Sequence, residues 1–493
     1  MQLGKKIYIS GDITIDWNLA RIHRSKGIVQ GWGFDDCTRA TCQPGGAALL
    51  GKLISTIAED LRENGIAEYE VVQPTKFEAP IEPIDTRYHH SYAMWSSFED
   101  INSWRVEEYL GLDRCTNLEP VYMDPTSMVQ DGFSKEDILI IDDADLGFRD
   151  HQRSLLKVLQ AGEDAPWILL KMSQPVAQGP LWESLLENYT DRLIVVTTVN
   201  DIRRTEVQIS GGLSWERTSQ DVAWELVNNP RVNGLARCAA VVVSFETAGA
   251  VVLHRSLVGE ESFTTPISRQ RHLIFDPQVV EGMWQNAHPG GMIGYTTCLV
   301  AGIARQLILS SSTPNLLLGI QSGMEAQRNL HLLGYENKGK ENKPELVFPY
   351  DRITSILTGN NYPFAVAEIQ DPVRFITSIG EETGKAPTGG FWTILQDRYR
   401  DNLDEISEQI VLQGAEETIK DIPMGIFGAL LTVDRQEIES FRSIHSLVGE
   451  YLSQERPKRP LSIAVFGAPG SGKSFGITQV AKSIAPGKIS VLE

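Results

Sequence analysis

The sequence predicts an α/β protein built on a largely parallel sheet with helices on both faces. Two observations carry this. Five short runs (137–142, 167–171, 192–198, 239–243 and 250–254) are almost continuously apolar, as strands covered on two sides must be. Helical patterns lie between several of them, at 149–160, 180–189 and 218–228, and strands that alternate with helices make parallel crossovers.

Taken in order, residues 7–19 open with strand character and a glycine break, and 45–64 form a helix with one apolar stripe. Residues 70–130 contain the aromatic pieces RYHHSYAMW and WRVEEYLGL, which predict short strands or an inserted lid. After the five apolar runs, 291–310 is a helix rich in small residues behind a glycine-rich turn, and 319–333 is a helix that Gly334 can cap. The polar run 336–344 predicts a linker. A mainly helical region over 345–455 follows; its clearest element, 433–452, places Ile438, Phe441, Ile444, Leu447, Val448 and Tyr451 at helical spacing. A Pro-flanked linker at 456–460 leads into 461–493. The expected layout is therefore one α/β domain over 1–335, the helical region, and a short third piece.

The bulk numbers agree with several domains. A chain of 493 residues exceeds one ordinary domain of about 100–200. A formal net charge of −19 disfavours nonspecific binding to nucleic acid or an anionic membrane surface. The basic cluster Arg456-Pro-Lys458-Arg459 fits a solvated linker. Five scattered cysteines, Cys37, Cys42, Cys115, Cys238 and Cys298, form no zinc set and are expected to be reduced thiols. No long apolar window and no leader pattern is found, so the expected location is cytoplasmic.

Gly467-Ala468-Pro469-Gly470-Ser471-Gly472-Lys473-Ser474 matches the full phosphate-binding loop pattern. Glycines there let backbone N–H groups turn inward around phosphates, Lys473 reaches the β- and γ-phosphates, and the Ser474 hydroxyl ligates Mg²⁺. An apolar stretch, 461–466, predicts the strand entering the loop, and 475–484 predicts the helix leaving it, where the dipole favours anions. The last 33 residues thus resemble the start of an AAA-type P-loop ATPase, its second strand beginning at 488–493. That resemblance implies ATP and Mg²⁺ as ligands, and an oligomer through the ATPase domain when complete. The acidic strand end, sensor and arginine finger of such enzymes would lie downstream, so the chain is expected to be a fragment that binds nucleotide without hydrolysing it.

Over 1–335, Gly11-Asp12-x3-Asp16 resembles the first-strand motif of the ribokinase (PfkB) family of sugar and nucleoside kinases, whose acidic residues hold substrate hydroxyls. Gly45-Gly46 before a helix resembles the family's paired glycines that close over substrate. Ile138–Phe148 resembles the strand and turn read as DYGKG in sugar-phosphate members, and Asn200-Asp201 follows a strand as the family's Asn-x-x-Glu element does. Val241–Gly249 resembles the nucleotide-side VTLGxxG segment. The resemblance implies a sugar or nucleoside ligand. One departure stands out. Family enzymes carry Gly-Ala-Gly-Asp at a helix N-terminus, the amides holding the transferring phosphate and the aspartate acting as base. Here the matching stretch is Gly294-Tyr295-Thr296-Thr297, with Thr297 where the aspartate belongs. A threonine hydroxyl is no base near neutral pH, and losing a general base costs about 10²–10⁴-fold. The expectation is a degenerate kinase domain kept for ligand sensing and coupled to the ATPase; the alternative is an active kinase with a shifted register or another base such as Asp276.

Other residues carry two readings each. Asp142, Asp143 and Asp145 after a strand suit a metal, a sugar or a solvated turn. Lys171 at a strand end meets a phosphate or lies on the surface. His89-His90 lacks partners at metal spacing.

Overall fold

A computed structural model describes residues 5–21, 38–73, 87–98, 101–116, 121–129, 132–150, 153–160, 165–255, 269–284, 292–310, 312, 314–339, 344–370, 391–399, 402–454, 459–467, 469–470 and 472–484. The chain divides into two compact units. The first holds 1–207, 225–274 and 285–363; the second holds 208–224, 275–284 and 364–493.

The first unit is mixed α/β with a large, mostly parallel sheet. Its strands are β1 (Lys6–Arg21), β2 (Thr38–Gly46), β3 (Glu70–Val72), β4 (His89–Phe98), β5 (Ile101–Asp113), β6 (Tyr122–Met123), β7 (Ile138–Asp143), β8 (Trp167–Met172), β9 (Leu193–Thr198), β10 (Ala240–Ser244), β11 (Gly249–Arg255), β12 (Arg269–Phe275), β13 (Tyr335–Asn337) and β14 (Leu346–Val347). β1 through β7, β8 and β9 to β10 pair in parallel, and β11 returns antiparallel on β10. Every residue of β7 and β10 is buried, so both faces of the sheet are covered. The five predicted apolar strands are all present.

β1 serves two sheets. Its first half pairs with β3 and β7; from Ile13 onward it pairs with β2 and β4 instead. β4, β5, β13 and β14 complete this second layer as a flap. The aromatic pieces expected as strands are β4 and β5, but the flap also recruits β2 and β13, outside the predicted 70–130 interval. The expected linker at 336–344 is corrected as well. Glu336 pairs with Ser103 and with Val347, the Asn337 side-chain carbonyl accepts from Gly339 and Glu345 amides, and residues to 363 belong to the first unit. The described residues at 336–339 and 344 thus belong to the antiparallel β13–β14 pair of the first unit and not to a boundary.

Two helices position the site. Tyr295–Leu309 lies against β7 and β8 and is buried almost all round, in keeping with its largely apolar sequence, although Thr297, Arg305 and Gln306 are buried with it. Leu316–Leu333 packs on it, started by Asn315, whose side chain accepts from the Leu318 amide, and ended by Gly334 at φ 63°. The two backbones touch through glycines: a Cβ on Gly302 would lie 2.4 Å from the Gly319 carbonyl, and one on Gly323 would lie 2.7 Å from Leu299 Cα. No side chain fits there.

The second unit is mainly helical with a hairpin (Gly425–Phe427 and Leu430–Thr432). The helix Arg435–Ser453 begins at Asp434, which accepts from the Glu437 amide. Of its predicted apolar positions only Ile438 is buried, and Leu447 is exposed. The helix Lys473–Ile484 packs on this pair of elements, with Gly476 against the Phe441 ring and Gln479 accepting from the Ala429 amide. Among the described residues no helix is long and apolar enough to cross a membrane.

Candidate functional site

The carboxyl ends of β8, β9 and β10 open onto a cavity of about 250 Å³ in the first unit. Lys171, Thr198 and Ser244 come from those strand ends, where ligands of open α/β sheets bind. Glu246 reaches it from the β10–β11 turn, which Arg328 secures by donating to the Thr247 carbonyl at 3.0 Å. The opposite wall is the N-terminus of helix Tyr295–Leu309, capped by Gly294 at φ 101°. The first amides of that helix have no carbonyl partner within it, and its dipole presents partial positive charge to the cavity. Thr297, 3% exposed, lines the wall with Thr296.

Two features of the lining are polar and incompletely matched. Lys171 Nζ donates to Asp142 Oδ2 at 2.8 Å, while the other oxygen of Asp142, a fully buried residue, has no hydrogen-bond partner. Gln327 donates through Nε2 to the Tyr295 carbonyl at 3.0 Å, and its buried Oε1 accepts nothing. A buried acceptor left unmatched costs about 1–3 kcal/mol, so such atoms invite explanation.

The predicted substrate residues divide. Asp16 is buried; its carboxylate accepts from Thr14 Oγ1 at 2.8 Å and Ser91 Oγ at 2.5 Å. Burial raises its pKa, against the pull of those two hydroxyls and of the Lys171 charge. Gly45 lies directly over it, since a Cβ there would sit 2.2 Å from Asp16 Oδ2, and Gly46 follows at φ 59° as the N-cap of helix Ala47–Glu63. Asp16, Gly45 and Gly46 are thus together. Asp12 stands apart from them: its carboxylate accepts from the amides of Ala144, Leu146 and Phe148 at 2.9, 3.2 and 3.0 Å, so it holds the turn after β7. Burial nonetheless pushes its pKa up to about 7. Gly11 lets β1 run tight against the Asp142 backbone.

The acidic cluster separates in the same way. Asp142 pairs with Lys171; Asp143 forms a buried ion pair with Arg149 at 3.0 Å, and Arg149 also donates to the carbonyls of Ser173 and Pro175; Asp145 sits in the turn at φ 57°. Thr198 caps the helix Val199–Arg203, accepting from the Asp201 amide at 3.1 Å and donating from Oγ1 to Asp201 Oδ2 at 2.7 Å, and Asn200 is exposed, so neither Asn200 nor Asp201 lines the cavity. His90 Nδ1 accepts from Trp17 Nε1 and His89 Nδ1 from the Cys115 amide; among the described residues no group of His, Cys, Asp or Glu could hold a metal. Asp276, the alternative base, belongs to the second unit and accepts from the Gln278 amide. Sequence reasoning missed Thr198, Ser244, Glu246 and Gln327. The first two were findable as polar residues closing apolar strands.

The glycine-rich loop lies in the second unit. Gly470 and Gly472 have φ of 78° and 73°, the helix starts at Lys473, and Lys473 Nζ donates to the Gly467 carbonyl at 2.7 Å. Pro469 and Ser474 are exposed; Ala468 and Ser471 lie outside the described residues, as does 488–493. The strand expected at 461–466 is absent. Leu461, Ile463, Val465 and Phe466 are exposed, Phe466 to 91%. A parallel strand needs neighbours on both sides and cover on both faces, and no described strand pairs with this one.

No protein-family model and no curated protein sequence matches the chain. Solved structures similar in chain trace include the tetrameric inhibited form of phosphofructokinase-2 from Escherichia coli, 12% identical with a TM-score of 0.37, over 72% of this chain and 100% of that one. Ribokinase from Thermotoga maritima is 12% identical with a TM-score of 0.33, over 73% and 100%. A nucleoside kinase of the ribokinase family from Methanocaldococcus jannaschii is 12% identical with a TM-score of 0.32, over 72% and 99%. Likeness at this level says nothing about what this chain binds.

Proposed function

We propose that the first unit is a ribokinase-like domain that binds a ligand without transferring phosphate to it, and that the second unit carries a nucleotide-binding loop. The observation behind the first half is Thr297: the residue one turn into the helix that faces the cavity is a hydroxyl, not a carboxylate. In the family that helix terminus holds the transferring phosphate while the aspartate deprotonates the acceptor. Here the amides and dipole remain and the base does not. Asp16 under Gly45 is the candidate for ligand hydroxyls. For the second half, Gly467, Gly470 and Gly472 form the backbone cradle, Lys473 the cation for the β- and γ-phosphates of ATP, and Ser474 the ligand for Mg²⁺. ATP bound there would supply phosphoryl-transfer potential.

An active sugar or nucleoside kinase is the second reading. Glu246 favours it, because its carboxylate lines the same cavity and could take a proton in place of Thr297. The solved structures named above are sugar and nucleoside kinases, the class this reading names; at their similarity they decide nothing between the two.

The test is phosphoryl transfer from ATP by the full chain over a panel of sugars and nucleosides. The first reading expects no turnover above solvent background, and a gain with Thr297→Asp. Wild-type turnover that Glu246→Gln abolishes establishes the second reading.

A further inference from the structure

We infer that Glu216, Glu439 and Arg435 form a proton-operated latch in the second unit, which holds residues 391–399 against two helices while Glu216 carries a proton and lets them go when Glu216 ionises. The latch needs no ligand, so it stands apart from the function proposed above.

Its parts come from three places in the chain. Glu216 lies in the first turn of helix Trp215–Asn228, Arg435 and Glu439 lie one turn apart on helix Arg435–Ser453, and Trp392 leads into the short helix Ile394–Tyr399. Glu216, Arg435 and Trp392 are all buried. Arg435 donates from Nε to Glu439 at 2.8 Å, and from Nη1 to the Trp392 carbonyl at 2.7 Å and to Gln220 Oε1 at 3.3 Å. Its guanidinium also lies over the Phe391 ring, so this one side chain fastens 391–392 to both helices. Glu439 is held further by Ser214 Oγ at 2.7 Å and by Arg217 at 3.7 Å. Glu216 has much less. Its Oε1 accepts from the Ile394 amide at 3.5 Å, and its buried Oε2 has no hydrogen-bond partner.

Two carboxyl groups thus lie by one buried guanidinium, and only Glu439 is bonded to it. A buried charge without hydrogen bonds is unfavourable, and a proton on Glu216 removes that charge. Burial accordingly pushes the Glu216 pKa up to about 7, against the pull of Arg435 and with the repulsion of Glu439 added. The other charged groups of the surrounding elements are engaged elsewhere: Asp221 with the Ser210 amide, Glu281 with the Gly212 amide, Asp397 with Trp392 Nε1, Arg398 with Asp421, and Glu437 with Thr432 Oγ1. When Glu216 ionises, two anions compete for Arg435. Turning the guanidinium toward Glu216 takes Nη1 from the Trp392 carbonyl, and 391–399 loses its fastening. Because the closed form keeps the proton up to about pH 7, the latch is shut in acid and opens as pH rises through that value.

Hydrogen exchange read by mass spectrometry on the full chain tests this, at about pH 6 and about pH 8, with rates corrected for the chemical pH dependence of exchange. Protection of the amides in 391–399, Ile394 among them, should fall about tenfold or more between the two, while β7 of the first unit keeps its protection. In Glu216→Gln, whose side chain cannot ionise, the fall should shrink to less than about twofold. Equal protection of 391–399 at both pH values in the wild type overturns the inference. So does an undiminished fall in Glu216→Gln, or an equal fall in β7, which would mean that the whole chain loosens. If Glu216→Gln does not fold, Glu439→Gln decides. With the competing charge gone, Arg435 is free to stabilise the ionised Glu216, and the midpoint of the fall should move down by about one pH unit. An unmoved midpoint overturns the latch.

Discussion

Two helix N-termini in this chain are candidates for phosphate, and they are built in opposite ways. The one at Gly294–Thr297 faces a half-open cavity and is backed by a mostly buried helix, by glycine contacts without room for a methyl, and by the carboxyl ends of a covered sheet. The one at Gly467–Ser474 has the richer sequence signature, yet its loop is exposed and the apolar stretch leading into it has no partner strand among the described residues. A short motif specifies backbone conformation, and so can be read locally. Holding that conformation rigid is the work of neighbours far away in sequence. The contrast separates recognising a phosphate site from supporting one.

The comparison can be broken at the support. Asp12→Ala removes one carboxylate that three backbone amides share, and should cost about 3–5 kcal/mol in chemical denaturation. A change under about 1 kcal/mol would mean the turn after β7 is held by other means. Gly302→Ala places a methyl 2.4 Å from the Gly319 carbonyl and should cost about 2–3 kcal/mol by forcing the two helices apart. An unchanged melting midpoint would contradict that packing.

The exposed site sharpens the comparison instead. Lys473→Ala should lower affinity for ATP about tenfold or more, roughly 1.4 kcal/mol or above, and leave stability within about 0.5 kcal/mol, because Gly467, Pro469, Gly470 and Gly472 around it are exposed. The smallest effect concerns Glu216, buried in the second unit with Arg435 as its charged neighbour, where burial pushes the pKa up to about 7. The folded state therefore holds that proton more tightly than the unfolded chain. Its contribution is full below about pH 4.5 and is lost as pH rises through about 7. Glu216→Gln should flatten the decline in stability between pH 5 and 8 by up to about 2 kcal/mol in pH-resolved thermal melts.

Much of the fold was legible because its signals are local. The apolar runs at β7 to β11 and the helices at 47–63, 295–309 and 316–333 follow from periodicity alone. The flap was not, since β1 changes sheets at Ile13 without any change in composition, and β13 joins the flap from more than 200 residues away. Asp12 and Asp16 look alike in sequence, on one face of a strand at even spacing; only the turn returning from β7 distinguishes a structural carboxylate from one beside Gly45. Gln327 carries no local signal, because a glutamine in a helix points to a cavity only once that helix is placed. The strand at 461–466 failed for the converse reason: its sequence satisfies a strand, but strands are stabilised by partners.

β1 continues unbroken from the floor of the first unit into its flap. One stretch of backbone is therefore both the keystone of the core and the stem of the cover, so the cover cannot be excised, swapped for another or grafted elsewhere without taking the middle of the molecule with it. Variation in the flap has to come through side chains and hairpin tips; the scaffold leaves no cheaper route.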